Sequence, residues 1–259
     1  MAKRLPAFRD NRHPLARSDY HVHSTFSDDA VSTLAENIAA AESLKLETVR
    51  LIDHVRESTT WVPAFLAAVA AEEIPEQLEV LTGVEAKMMD VTGRLDIPAD
   101  LGELTVVIAD HQFPGTDGPW SPDEVKKRLA TGRLRPADAV AMLFEAYTAA
   151  MRGRPGSQLA HPFSILPKVG LHNHLSATVE LATEQQLEQF VTVAVETNTL
   201  VELNQKWGVS QFLPLKALLD VDLIVMASDA HEASFVGEYR REVLEPLDYA
   251  QRIDPRDRW

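Results

Sequence analysis

SDYHVHSTFSDDAVSTLAENIAAAESLKLETVRLIDH, residues 18–54, holds a strand, a helix and a second strand in succession. Ser18 to Val22 reads as the first strand. Leu34 to Leu44 is an Ala-rich helix with Ser32 or Thr33 placed to cap its free N–H groups. Thr48 to Ile52 is the second strand. Two strands joined through a helix run parallel, so this stretch points to an α/β protein with helices laid over a parallel sheet.

The pattern repeats outward from there. Further strands are expected at Leu78–Val84, Thr105–Ala109, Leu159–Ala160, Leu200–Leu203 and Leu223–Ala227. Helices are expected at Val62–Ala71, Pro122–Leu129, Pro136–Met151, Thr183–Glu196 and Leu213–Leu219, and two of them open with Pro in the first turn. Lys87 to Pro98 alternates in polarity around Thr92-Gly93, which suggests a hairpin. About seven strand–helix units favour a barrel over an open sheet. The expected organisation is an N-terminal arm (1–17), one barrel domain (18–248) and a polar tail (249–259).

The chain has 259 residues, 45% of them hydrophobic, enough for one sizeable core. Its formal net charge of −14 argues against a binder of long nucleic acid, which would present a basic face. An anionic substrate remains compatible, because bound cations reverse the local field. With no cysteine, disulfides are excluded, any metal site must use His, Asp, Glu or water, and a cytoplasmic location is expected. The start of the chain is basic without an apolar core and does not read as a secretory signal. No run of about 18 apolar residues exists, so no membrane span is expected.

Nine histidines occur, and most fall at strand ends. His21 and His23 follow the first strand, His54 the second, His111 the fourth, His161 the fifth and His231 the seventh. Glu85 follows the third strand and Asp229 ends the seventh. In a parallel barrel these ends share one face, where active sites are built. His21 and His23, like Asp229 and His231, are two apart and can point the same way from an extended segment. Each residue alone has an ordinary explanation, such as a capping pair at Asp53-His54 or a buried turn at His161-Pro162. Together they would bury many polar groups at a cost that metal coordination removes.

On these residues the chain resembles the polymerase-and-histidinol-phosphatase superfamily, the PHP domain. The blocks are DYHVHSTFSDD (19–29), LIDHV around His54, TGVEAK around Glu85, ADHQF around His111, LAHPF around His161 and SDAH ending at His231. The resemblance implies a distorted (β/α)7 barrel with two or three divalent ions (Mn, Fe or Zn) in its mouth. By that resemblance His21, His23, Glu85 and Asp229 hold a first ion. Glu85 bridges to a second, held also by His111 and His161. Asp28, His54 and His231 hold a third, with Asp29 as the neighbouring alternative to Asp28. An oxygen ligand at that position favours Mn or Fe over Zn.

The implied activity is hydrolysis of a small phosphorylated molecule, as in a histidinol phosphatase. Such ions activate water as a nucleophile and offset charge on phosphate. Glu85, Asp229 and His231 are the expected catalytic residues, with Asp229 a candidate general acid. Arg56, Lys87, Lys206, Arg240 and Arg241 are candidates to bind the phosphate. Glu202, Asn204 and Trp207 are further candidates to touch substrate. The alternatives are a nucleotide phosphodiesterase or nuclease, an amidohydrolase-type hydrolase of C–N or ester bonds, and a non-catalytic metal-stabilised module. Oligomeric state is open.

Overall fold

The computed structural model describes residues 14–171, 182–204 and 215–239. Nine strands are assigned among them: β1 Ser18–Val22, β2 Thr48–His54, β3 Glu79–Lys87, β4 Thr105–Ala109, β5 Phe113–Pro114, β6 Pro119–Trp120, β7 Gln158–Leu159, β8 Leu200–Asn204 and β9 Ile224–Ala227. The helices are α1 Leu34–Ser43, α2 Val62–Ala71, α3 Pro122–Ala130, α4 Pro136–Gly153, α5 Ile165–Lys168, α6 Glu184–Thr197 and α7 Leu215–Leu219.

Seven strands make one sheet in the order β1-β2-β3-β4-β7-β8-β9, and every neighbouring pair is parallel. The first and last strands meet: Val22 bridges Ala230, and the His23 N–H donates to the Ala230 carbonyl at 2.8 Å. The sheet therefore curls into a near-closed, distorted (β/α)7 barrel. Fusing its ends removes the exposed edges that an open sheet must protect. β5 and β6 form a separate two-stranded antiparallel hairpin.

Local chemistry explains the elements. Thr33 caps α1 by accepting from Glu36 N, while the Glu36 side chain accepts from Thr33 N, a reciprocal capping box. Thr183 and Gln186 do the same for α6. The hairpin read at Lys87–Pro98 extends β3 past its end: Met88 bridges Leu95, and the Met89 N–H donates to Arg94 O. Its turn residue Gly93 has φ 76°. A Cβ there would lie 2.3 Å from Ala150 N of α4, so only glycine fits.

Two apolar regions follow from the alternation of strand side chains. The large one lies between sheet and helices and includes Leu51, Val84, Ile108, Phe144, Tyr147, Phe163, Phe190 and Met226. The small one, Ile52, Val107, Ala109 and Ala160, is a separate cluster inside the barrel. On the same strand faces, one step along, stand His54, Glu85 and His111. The site thus sits on a narrow apolar plug.

Strand boundaries differ from the sequence reading in one respect that matters. β2 and β3 run further than expected, so His54 is the last residue of β2 and Glu85 lies inside β3. His21 likewise lies inside β1. Glu85 pairs with His54 of β2 on one side and Val107 of β4 on the other, so the sheet rather than a loop fixes its direction. Among the described residues no helix is long and apolar enough to cross a membrane.

Candidate metal centre

Glu85 is buried at the barrel mouth, and five imidazoles surround its carboxylate. His111 Nε2 and His161 Nε2 each lie 3.1 Å from Oε1. His54 Nε2 lies 2.9 Å, His23 Nε2 3.5 Å and His21 Nε2 3.6 Å from Oε2. Neighbouring rings run in a circle, His21–His23–His54–His111–His161–His21, with centroids 4.7, 4.5, 5.4, 5.4 and 5.8 Å apart. Asp229 Oδ1 joins from the far side, 3.4 Å from His23 Nε2 and 3.5 Å from His231 Nδ1. The His231 ring packs 4.3 Å from that of His23.

The outer nitrogens of several rings are already committed. His21 Nδ1 lies 2.8 Å from Glu202 Oε1, a pure acceptor, so Nδ1 carries the proton. Ser27 Oγ spends its hydrogen on Asp53 and accepts from His54 N. It can therefore only accept from His23 Nδ1, 3.2 Å away. His231 Nδ1 donates to the Asp229 carbonyl oxygen at 3.0 Å. In the neutral form of each of these rings the lone pair is on Nε2. His21 Nε2 and His23 Nε2 lie 2.9 Å apart, a pair that a shared proton or a bound cation joins.

Polar atoms buried within the circle lack partners. Glu85 Oε2 and His111 Nε2 are inaccessible to water, yet neither has a contact with hydrogen-bond geometry. Leaving such groups unsatisfied is costly, and a buried carboxylate needs compensation of several kcal/mol. The donors are all imidazole nitrogens and carboxylate oxygens, a set suited to Zn, Mn or Fe. Four groups offer ligand atoms all within 4.8 Å of each other: His21, His23 and Glu85; His54, Glu85 and His111; His23, His54 and His231; and, at the rim, Asp28, Asp29 and His54. The residues present fit a metal cluster.

The electrostatics agree. Burial pushes the His23 imidazole down to about 3, so it is neutral and keeps its lone pair at pH 7. Burial works against a charge on His161, but Asp110 and Glu85 outweigh it and raise that imidazole to about 10. Burial likewise opposes ionisation of Glu85, while His111 and His21 hold it well below the usual carboxylate range. The carboxylates therefore favour positive charge in the circle, and a metal competes with protons for that place.

Carboxylates outside the circle aim it. Asp53 accepts from Ser24 N, Ser24 Oγ and Ser27 Oγ at 2.9, 2.6 and 2.7 Å, fixing the loop after His23. Asp110 accepts from Tyr147 Oη, Ser164 Oγ and Ile165 N, which ties the His161 loop to α4. Asp19 accepts from Ser228 N, Ser228 Oγ and Gly237 N beside Asp229. Two residues of the site, His161 and Asp229, have positive φ of 30° and 54°, a strain that these clamps sustain. The sequence reading did not single out Asp19 or Asp110 and read Asp53 only as a capping partner. Their signal was position: an acid one or two residues before a strand-end histidine.

At the rim the picture is more exposed. Asp28 pairs with Arg56 at 3.3 Å. Asp29 lies nearer the histidines, 3.4 Å from His54 Nδ1 and 3.3 Å from His231 Nε2. Lys87 Nζ lies 3.6 Å from Asp96. Arg56, Lys87, Asp28, Asp29, His54, Glu85 and His111 all line one cavity of about 220 Å³ opening above Glu85. Glu202 and Asn204 are buried within β8 rather than facing this opening. Lys206, Trp207, Arg240 and Arg241 lie outside the described residues.

Comparison with known proteins agrees with this geometry. A solved structure of histidinol phosphate phosphatase from Lactococcus lactis, complexed with zinc, L-histidinol and phosphate, has the same fold. Its TM-score is 0.58 at 15% identity, covering 90% of this chain and 93% of that one. A probable phosphatase from Caldanaerobacter subterraneus is 37% identical over 95 residues, which spans only 37% of that relative's length. Probable phosphatases from Clostridium novyi and Shewanella pealeana align over 91% and 89% of this chain at 21% and 26% identity, covering 88% and 84% of their own lengths. The PHP domain sequence model matches residues 19–206, the span that carries Glu85 and all five imidazoles of the circle, and the chain belongs to the PHP domain family.

Proposed function

We propose that this protein is a metal-dependent phosphatase acting on a small phosphorylated molecule. The observation that carries the reading is the circle of five imidazoles around Glu85, with their Nε2 atoms turned inward. We assign His21, His23, Glu85 and Asp229 to one ion, and Glu85, His111 and His161 to a second. His54 and His231 go to a third, with Asp29 rather than Asp28 as its carboxylate, because Asp29 lies within 3.4 Å of both imidazoles while Asp28 stands 3.8 Å from His54. Bound divalent ions supply Lewis acidity toward phosphate and a nucleophilic water at neutral pH.

The chain's own groups do the rest. Glu85 holds two ligand sets at a fixed spacing through its two oxygens. Arg56 and Lys87 line the cavity beside Glu85 and orient a phosphate entering it, each giving up its present carboxylate partner. Asp229, beside His23 and His231, would hold its ion as an anion, so the proton for the leaving oxygen comes from water. Deep walls of β-strand exclude bulk water below Glu85, which strengthens every charge interaction there. The small opening favours a compact phosphomonoester over a polymer, in keeping with the net charge of −14. The neighbour's bound histidinol and phosphate are a reason to include amino-alcohol phosphates in the assay.

The test is hydrolysis of a generic aryl phosphate by chelator-stripped protein, then by protein reloaded with Mn, Fe or Zn, followed by a panel of phosphomonoesters, phosphodiesters and amides. We expect activity only after reloading, and on monoesters first. Full activity in the stripped protein would contradict the mechanism. Turnover confined to amides would overturn the substrate class.

A further inference from the structure

We propose that Glu202 is a positioning residue that locks two metal-ligand sets together, setting the tautomer of His21 and the backbone of His161 with one carboxylate. The proposal rests on the metal-dependent reading above. Glu202 is buried in β8, and both of its oxygens are used. Oε1 accepts from His21 Nδ1 at 2.8 Å and from Gln158 Nε2 at 2.5 Å. Oε2 accepts from the His161 backbone N–H at 3.0 Å. His21 and His161 stand on β1 and just beyond β7, which are not neighbours in the sheet, and Glu202 spans the barrel interior between them.

The orientation is enforced from behind. Arg50, buried inside the barrel with its guanidinium 5.1 Å over the Tyr20 ring, donates to Gln158 Oε1. That turns the Gln158 amide nitrogen toward Glu202 and the Tyr20 carbonyl, to which it donates at 2.8 Å. Gln158 therefore cannot accept from Glu202, which must act as acceptor on every side. Two consequences follow. His21 keeps its proton on Nδ1 and presents Nε2, the remaining ring nitrogen, toward Glu85. The His161 amide is anchored despite φ of 30°, so its imidazole reaches Glu85 Oε1. A carboxylate is required here because three donors converge on it. An amide would have to point its own N–H groups at His161 N or at His21 and Gln158. Sequence alone suggested a substrate contact at this position; the burial and the two filled oxygens exclude that.

The test compares wild type with Glu202→Gln in metal-free form. Zinc affinity is measured by chelator competition and stoichiometry by elemental analysis, with the melting temperature of the metal-free proteins as a fold control. We expect a 10- to 100-fold loss of affinity at two sites in the folded variant. Unchanged affinity at every site would overturn the proposal. Histidine ¹⁵N spectra of zinc-loaded wild type give a readout that needs no variant. They should show His21 protonated at Nδ1 and metal-bound at Nε2, and coordination through Nδ1 would overturn it. If wild type binds no zinc, manganese or iron at all, the metal-dependent reading fails and takes this proposal with it, a result distinct from normal binding in both proteins.

Discussion

Glu85 carries more of the site than any other side chain. Its two oxygens divide the imidazoles into a pair, His111 and His161, and a trio, His21, His23 and His54. Removing that carboxylate leaves the five rings facing one another with no counter-charge and no bridge. Glu85→Ala is therefore expected to lose at least two metal ions per chain by elemental analysis, and with them at least 100-fold in phosphatase rate. Full metal content in the variant would refute the bridging role. At this scale the sequence was informative for residue types that bind metals and silent on those that aim them. His-x-His, Glu85 and Asp-x-His are read directly from spacing. Asp19, Asp53 and Asp110 are common residues at strand ends, and their partners, such as Ser228 and Tyr147, are far away in sequence. Only the folded arrangement shows which acid meets which donor.

Element by element, strand order follows from the alternation of strands and helices, because parallel neighbours require crossovers. The boundaries were less legible. β3 continues through Glu85 to Lys87 because Val84 and Ala86 point outward into the main core while Glu85 faces the barrel interior. A polar residue at that position reads as a strand end when the sequence is taken alone. The β5–β6 hairpin of two-residue strands was not foreseen, since so short a pair carries no periodicity. The hairpin after β3 was foreseen, and its turn gives a sharp test. Gly93 has positive φ, and a Cβ would meet Ala150 N at 2.3 Å and Ala150 Cα at 2.8 Å. Gly93→Ala is expected to destabilise the protein by about 2–4 kcal/mol, combining left-handed strain and overpacking. A urea midpoint equal to that of wild type would mean the hairpin does not pack on α4 as described.

For the whole molecule, the barrel converts distance in sequence into proximity. His21 and His231 lie at opposite ends of the described chain, and the Val22–Ala230 bridge brings their strand ends together. The large acidic excess then makes sense beside a cationic centre, since carboxylates inside and at the rim of the mouth supply the charge that divalent ions offset. The fold, and the gathering of distant histidines at one mouth, were readable from the chain because the strand ends of a parallel barrel share one face. Substrate identity was not, because the groups that would contact it are ordinary Arg, Lys and Asp residues with surface partners. The most direct measurement is an anomalous difference map from crystals of protein loaded with zinc or manganese. We expect at least two peaks flanking the Glu85 carboxylate, each about 2.0–2.2 Å from imidazole Nε2 atoms of the circle. A map with no peak at Glu85, or with ions only at surface carboxylates, would contradict the central claim.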